Sequence, residues 1–143
     1  MPKRVRAVLV TPNDTLLLMK RVRPDRPVYW VVVGGKIEPT DTDPEAALRR
    51  EVREEVGGEA RIVRVLHTHR TETDHETFYL ADIERWDLAA RTGPEFGEEG
   101  RGEYLLEEIP LTTAALDAVN LLPPEFAAVL REAVERGTLP AGR

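Results

Sequence analysis

Three glutamates carry the clearest chemistry in this sequence. Glu51, Glu54 and Glu55 lie within Glu45 to Val56, a stretch made mostly of good helix formers. With Glu51 at zero on a helical wheel, Glu54 falls at about 300° and Glu55 at about 40°, so all three carboxylates share one narrow face. Leu48, Val52 and Val56 fall at about 60°, 100° and 140°, which places an apolar stripe beside the acidic one. Docking that stripe leaves the carboxylates at the edge of the core rather than aimed into water. Like charges at i,i+3 and i,i+4 each cost a helix roughly 0.2–0.5 kcal/mol, and Glu51 takes part in two such pairs. The face therefore wants a counter-charge, and hard oxygen donors grouped in this way suit Mg²⁺ or Mn²⁺. Glu-rich helices are also common as solvated faces, so these residues alone leave both readings open.

The segment before the helix favours the metal. Gly34 and Gly35 follow the apolar run Val28 to Val33 and lead through Lys36, Ile37 and Glu38 towards the helix. Paired glycines let a backbone carbonyl or amide approach a ligand closely. Glu38 adds a fourth carboxylate. Hard ligands, room for a water and a backbone cradle are what metal-assisted phosphoryl chemistry needs.

The elements that must position these residues can be read along the chain. Val5 to Val10 reads as a strand, Thr11-Pro12-Asn13-Asp14 as a turn, and Leu16 to Met19 as the returning strand of a hairpin. Arg21 to Pro27 reads as a basic loop. Val28 to Val33 reads as one strand buried on both faces and ended by Gly34-Gly35. Asp43 is an N-cap and Pro44 suits the first helical position. Gly57-Gly58 is the C-terminal stop. Arg61 to His69 and Thr77 to Ile83 read as two strands joined by a polar turn. Residues 86–102 read as a long loop, Glu103 to Leu106 as a short strand, and Pro124 to Arg136 as a terminal helix closed by Gly137. Strands and helices interleave, which predicts a mixed α/β domain.

Bulk properties bound the function. The chain has 143 residues, the usual size of one domain, and no cysteine, which excludes thiolate metal sites and thiol nucleophiles. A formal net charge of −6 argues against a nucleic-acid polymer as partner. It is compatible with a small phosphorylated ligand whose charge a metal offsets. No apolar stretch approaches a membrane span or a signal-peptide core, so a cytoplasmic protein without a membrane partner is expected.

The run Gly35-Lys36-Ile37-Glu38-Pro39, continued by Arg50-Glu51-Val52-Arg53-Glu54-Glu55-Val56-Gly57, resembles the Nudix box of the MutT-like pyrophosphohydrolases. That pattern is a glycine, five residues, a glutamate, seven residues, then Arg-Glu-apolar-x-Glu-Glu-x-Gly and an apolar residue. The likeness covers residues 35–58. It implies a Nudix-type α/β/α sandwich (α+β) with a mixed sheet, as one domain over residues 1–143. It implies Mg²⁺-dependent hydrolysis, with Mn²⁺ as a substitute, of a diphosphate linkage in a nucleoside diphosphate derivative or nucleoside triphosphate. A catalytically weak Nudix-fold nucleotide-binding or sensor module is the alternative. By position, Glu54 and Glu55 would be metal ligands, and Glu51 a further ligand or the general base. Arg50 would orient Glu51, a carbonyl at Gly34 or Gly35 would complete the coordination, and Glu38 would lie close by. The sequence departs from the pattern in four places. Thr40-Asp41-Thr42-Asp43 is one residue longer than the family spacing. The usual glutamate is missing there, with Asp41 and Asp43 the candidates to replace it. Gly58 takes the last apolar position. Val33 stands where a proline often precedes the glycines.

Outside the box, Arg21 is the best placed of the basic run Lys20, Arg21, Arg23 and Arg26 to grip substrate phosphates. Glu98 or Glu99 is a candidate for a late base or ligand, with Glu99 assigned to the metal. His67, His69 and His75 lack metal spacing, and packing or substrate contact is expected of them instead. Trp30 and Tyr104 are expected to pack rather than stack on a base. A homodimer is weakly expected from general frequency alone.

Overall fold

The first two strands of the protein meet at one end and then part. In the computed structural model, which describes residues 3–87 and 102–139, β1 (Lys3–Val10) and β2 (Thr15–Val22) pair only at Leu9–Leu17 and Val10–Leu16. Beyond that vertex they form two arms. On the β1 arm, β6 (His75–Trp86) runs parallel to β1 along its whole length, and β5 (Gly58–Arg70) pairs antiparallel with β6. On the β2 arm, β7 (Glu103–Pro110) pairs antiparallel with all of β2.

The opening between the arms is filled by residues 29–36. The apolar run is not one strand, as its composition predicts, but two. β3 (Tyr29–Val31) pairs with β2, whereas β4 (Val33–Lys36) pairs with β1. The chain changes arms at Val32. A single straight strand could not pair with both, because the arms have already separated. The glycine pair therefore does not end the strand; Gly34 and Gly35 sit inside β4, opposite Arg6 and Val5. A two-residue strand, β8 (Leu121–Leu122), completes the β2 arm against β3.

Alternation along the strands gives the sheet two apolar faces. Ala7, Leu9, Leu17, Tyr79 and Ala81 face α1 (Pro44–Val56), which buries Ala47, Leu48, Val52 and Val56 against them. Val8, Val10, Leu16, Leu18, Phe78 and Leu80 face the other way. There they pack with α2 (Thr113–Asp117) and α3 (Pro124–Glu135), chiefly through Leu116, Phe126 and Leu130. The result is the α/β/α, mixed-sheet α+β arrangement. His67 lies against Phe78 and Phe126, with ring centroids 5.9 and 6.1 Å away, so it serves packing.

Helix α1 begins and ends on the expected signals. Asp43 accepts a hydrogen bond from the Ala46 N–H at 2.7 Å, and Pro44 follows it. Gly57 adopts φ 72° and returns its N–H to Arg53. Gly58, expected in the stop, instead opens β5. Strands β5 and β7 outrun their sequence patterns because partner strands continue to satisfy their backbones. α2 and β8 are too short to have a periodic signature.

At the vertex, one carboxylate holds the β1–β2 turn. Glu108 Oε1 on β7 accepts from Thr15 Oγ1 at 2.6 Å, Asn13 Nδ2 at 3.1 Å and Thr11 Oγ1 at 3.3 Å. These hydrogen bonds favour the charged form and lower its pKa from the ordinary 4.5. A carboxyl whose folded pKa is depressed adds stability above its unfolded pKa and loses it as pH falls through the folded value. The E108Q variant is therefore expected to lower stability by about 0.5–1 kcal/mol at pH 7, after allowance for solvent screening. That difference should shrink below about pH 4. Thermal denaturation of both proteins across pH 3–7 checks it, and a gap constant with pH contradicts it.

Candidate active site on helix α1 and strand β4

Burial of Leu48, Val52 and Val56 turns the adjoining carboxylates of α1 towards β4. Glu55 Oε2 accepts the Gly34 N–H at 3.1 Å. A Cβ at Gly35 would lie 2.6 Å from Glu51 Oε1, so glycine is what lets this strand lie against that carboxylate. A Cβ at Gly34 would lie 2.1 Å from the Val5 carbonyl oxygen. The two glycines thus solve different problems: Gly34 permits strand pairing, and Gly35 leaves space for a side chain.

Arg50 is the hub. Its Nε and Nη2 donate to the two oxygens of Asp41, both at 2.9 Å. Its Nη1 donates to Glu51 at 3.0 Å and to Glu54 at 2.9 Å. Nη2 also donates to the Lys36 carbonyl at 3.1 Å, which ties β4's end to the helix. Glu38 Oε1 stands 3.7 Å from Nη1 but is half exposed. Asp41 has only 6% of its side chain exposed. The fork-to-carboxylate hydrogen bonds hold Asp41 below the usual carboxylate range and Arg50 firmly protonated. Burial pushes Glu51 upward, against the lowering by its hydrogen bonds to Glu55 and Arg50.

Asp41 is the residue that spacing alone did not assign. Counting back from Arg50 left Asp41 and Asp43 as alternatives. Asp43 is occupied as the helix cap, and Asp41 makes the two-pronged pair. The extra residue in the loop is absorbed by a turn in which the Glu38 N–H donates to Asp41 Oδ2 at 2.8 Å.

The donor set suits a hard divalent cation in kind: Glu51 and Glu55 converge beside the glycine strand, with Glu54 one turn away. Among the described residues no group of three or more acidic or histidine side chains is drawn together as a ready cage. Glu51 and Glu54 each give an oxygen to Arg50. Arg21 lies on the β2 arm, its guanidinium 3.6 Å from the Tyr104 ring centroid and its Nε donating to the Glu103 carbonyl at 3.3 Å. Trp30 donates its Nε1–H to Glu107 at 3.2 Å. Glu98 and Glu99 fall outside the described residues.

The NUDIX domain model matches residues 1–123. The chain belongs to the NUDIX family. Nudix hydrolases are generally divalent-metal-dependent and act on small nucleotide substrates. A curated relative, CTP pyrophosphohydrolase of Escherichia coli, is 33% identical over 76 residues, which is 53% of this chain. The match spans 56% of that relative, little more than half its length. The solution structure of the ORF135 protein of E. coli superposes with a TM-score of 0.65 at 23% identity, over 99% of this chain and 94% of that one. A NUDIX hydrolase from Nitrosomonas europaea gives 0.68 at 16% identity, over 95% and 89%. At these identities the superpositions show a shared Nudix fold.

The glycine geometry predicts unequal effects. G35A should cost less than about 1 kcal/mol, because only the end of Glu51 must give way. G34A should cost about 3 kcal/mol, because the obstacle is backbone in a paired strand. Denaturant unfolding of both variants decides it; equal losses would refute the assignment.

Proposed function

We propose that this protein hydrolyses a diphosphate linkage in a nucleoside triphosphate or a nucleoside diphosphate derivative, with Mg²⁺ as cofactor and Mn²⁺ as a workable substitute. The observation that carries this reading is the Arg50-centred carboxylate cluster pressed against a two-glycine strand. Glu51, Glu54, Glu55 and a carbonyl at Gly34 or Gly35 are the groups that would hold the cation. When bound, the cation supplies positive charge for diphosphate oxygens and for an attacking water. Glu51 is the candidate to accept the water's proton, and Arg50 orients it through the 3.0 Å contact. Glu38 and Arg21 are candidates for holding the substrate outside the cluster. The products are a nucleoside monophosphate and pyrophosphate or a phosphorylated leaving group.

The stretched loop and the missing box glutamate would favour a sensor module if no carboxylate met Arg50. Asp41 supplies a carboxylate to Arg50 through two 2.9 Å hydrogen bonds, which favours the hydrolase.

The test is a panel of nucleoside triphosphates, nucleotide sugars and dinucleotides, with Mg²⁺ and Mn²⁺ compared; CTP belongs in it because a relative is named for that activity. At least one compound should turn over, and chelation should stop the reaction. E54Q should lower kcat/KM by about a hundredfold or more with an unchanged melting curve. No turnover of any compound by folded protein, or a rate indifferent to chelator and to E54Q, would overturn the proposal.

A further inference from the structure

The box glutamate and the box spacing are both altered in this chain, and the two alterations meet at one residue. Counted forward from Gly35, five residues lead to Asp41; counted back from Arg50, seven lead to Thr42. The extra residue therefore lies between Asp41 and the helix. Asp41 in turn is one methylene shorter than the glutamate whose place it takes. A shorter arm needs its backbone closer to Arg50, and a longer loop gives it that freedom. One residue of chain reaches at most about 3.3–3.6 Å, against about 1.5 Å for a carbon–carbon bond.

The fold uses that freedom. Asp41 Oδ1 accepts from Arg50 Nε and Oδ2 from Nη2, both at 2.9 Å. Oδ2 also accepts the Glu38 N–H at 2.8 Å, while the Asp41 N–H donates to the Glu38 carbonyl at 3.0 Å. One carboxylate thus closes its own turn and grips the guanidinium. A glutamate on the same loop would carry its oxygens one bond further out and could not keep both sets of contacts. The grip leaves Nη1 as the edge that meets the helix, 3.0 Å from Glu51 and 2.9 Å from Glu54. Without Asp41, the whole charge of Arg50 would stand beside those two carboxylates and compete with a cation for them.

From these contacts we infer that Asp41 is a positioning residue for the divalent cation. By holding and neutralising the outer edge of Arg50, it sets how tightly Glu51 and Glu54 bind the ion, and the extra loop residue is what lets an aspartate do so. The inference rests on the proposed cation reading and adds to it the residue that controls affinity. If Asp41 only pinned the loop, its loss would lower stability and leave the affinity of the folded protein unchanged. Affinity is therefore the quantity to measure.

Titration of Mn²⁺ into the folded full chain without nucleotide, followed by the spin resonance of the free ion, reads it directly. D41N is isosteric but uncharged and should bind Mn²⁺ at least about tenfold more weakly. D43N removes the same charge two residues away while keeping a capping side chain, and should stay within about threefold of the native chain. D41E alone and deletion of Thr42 alone should each lose about tenfold. The two combined should recover to within about threefold, because a longer arm then meets a shorter loop. If the deletion proteins do not fold, D41N against D43N decides. Native affinity in folded D41N, equal losses in D41N and D43N, or a combined variant no better than either single one would overturn the inference. Mn²⁺ binding indifferent to Asp41 would leave the proposed hydrolysis standing. Asp41-dependent binding by a chain that hydrolyses nothing would do the reverse, and no Mn²⁺ binding by the native chain would overturn both.

Discussion

Arg50 is one positive charge held among Asp41, Glu51, Glu54 and, at longer range, Glu38. A carboxylate cluster at the edge of a core is unstable by itself: burial disfavours charge, and like charges repel. The planar guanidinium answers both problems at once, because its fork fills the two oxygens of Asp41 while its other edge serves the helix glutamates. It also takes the Lys36 carbonyl, so the end of β4, the loop and the helix are fixed to one another through a single side chain. Negative charge still exceeds positive around it, and that imbalance is what a divalent cation would offset.

The second constraint is the divergence of β1 and β2. Once the two strands separate beyond Leu9 and Leu17, neither arm can satisfy the other's backbone, and residues 29–36 must supply partners to both. That wedge brings Gly34 and Gly35 against the helix on one side of the sheet and opens a recess around Val32 on the other. The acidic cluster and the apolar pocket are consequences of the same strand break. Their closeness follows from sheet pairing rather than from any local sequence signal.

Local features were legible where the chemistry is local. The α1 boundaries, its apolar stripe and the grouping of Glu51, Glu54 and Glu55 follow from spacing, caps and periodicity, because a helix closes its hydrogen bonds within itself. The first hairpin and the β5–β6 pair were also readable, although strand ends were not, since a strand continues only as far as its neighbour does. The Val28–Val33 run misled for the same reason: apolar composition reports burial but not which partner is met. Asp41 and Asp43 were indistinguishable by counting, and only the turn at Glu38 and the capping of Ala46 separated them. The ion pair of Arg6 with Glu76, seventy positions apart in chain order, gave no sequence signal at all.

The sequence by itself determined the family and the acidic helix face, because these depend on residue types a few positions apart. The tertiary structure decided which aspartate meets Arg50, what each glycine of the pair makes room for, and what lies across the sheet from the carboxylates. Those outcomes depend on pairing between distant strands, whose register is set by the whole sheet and by the point at which its first two strands part.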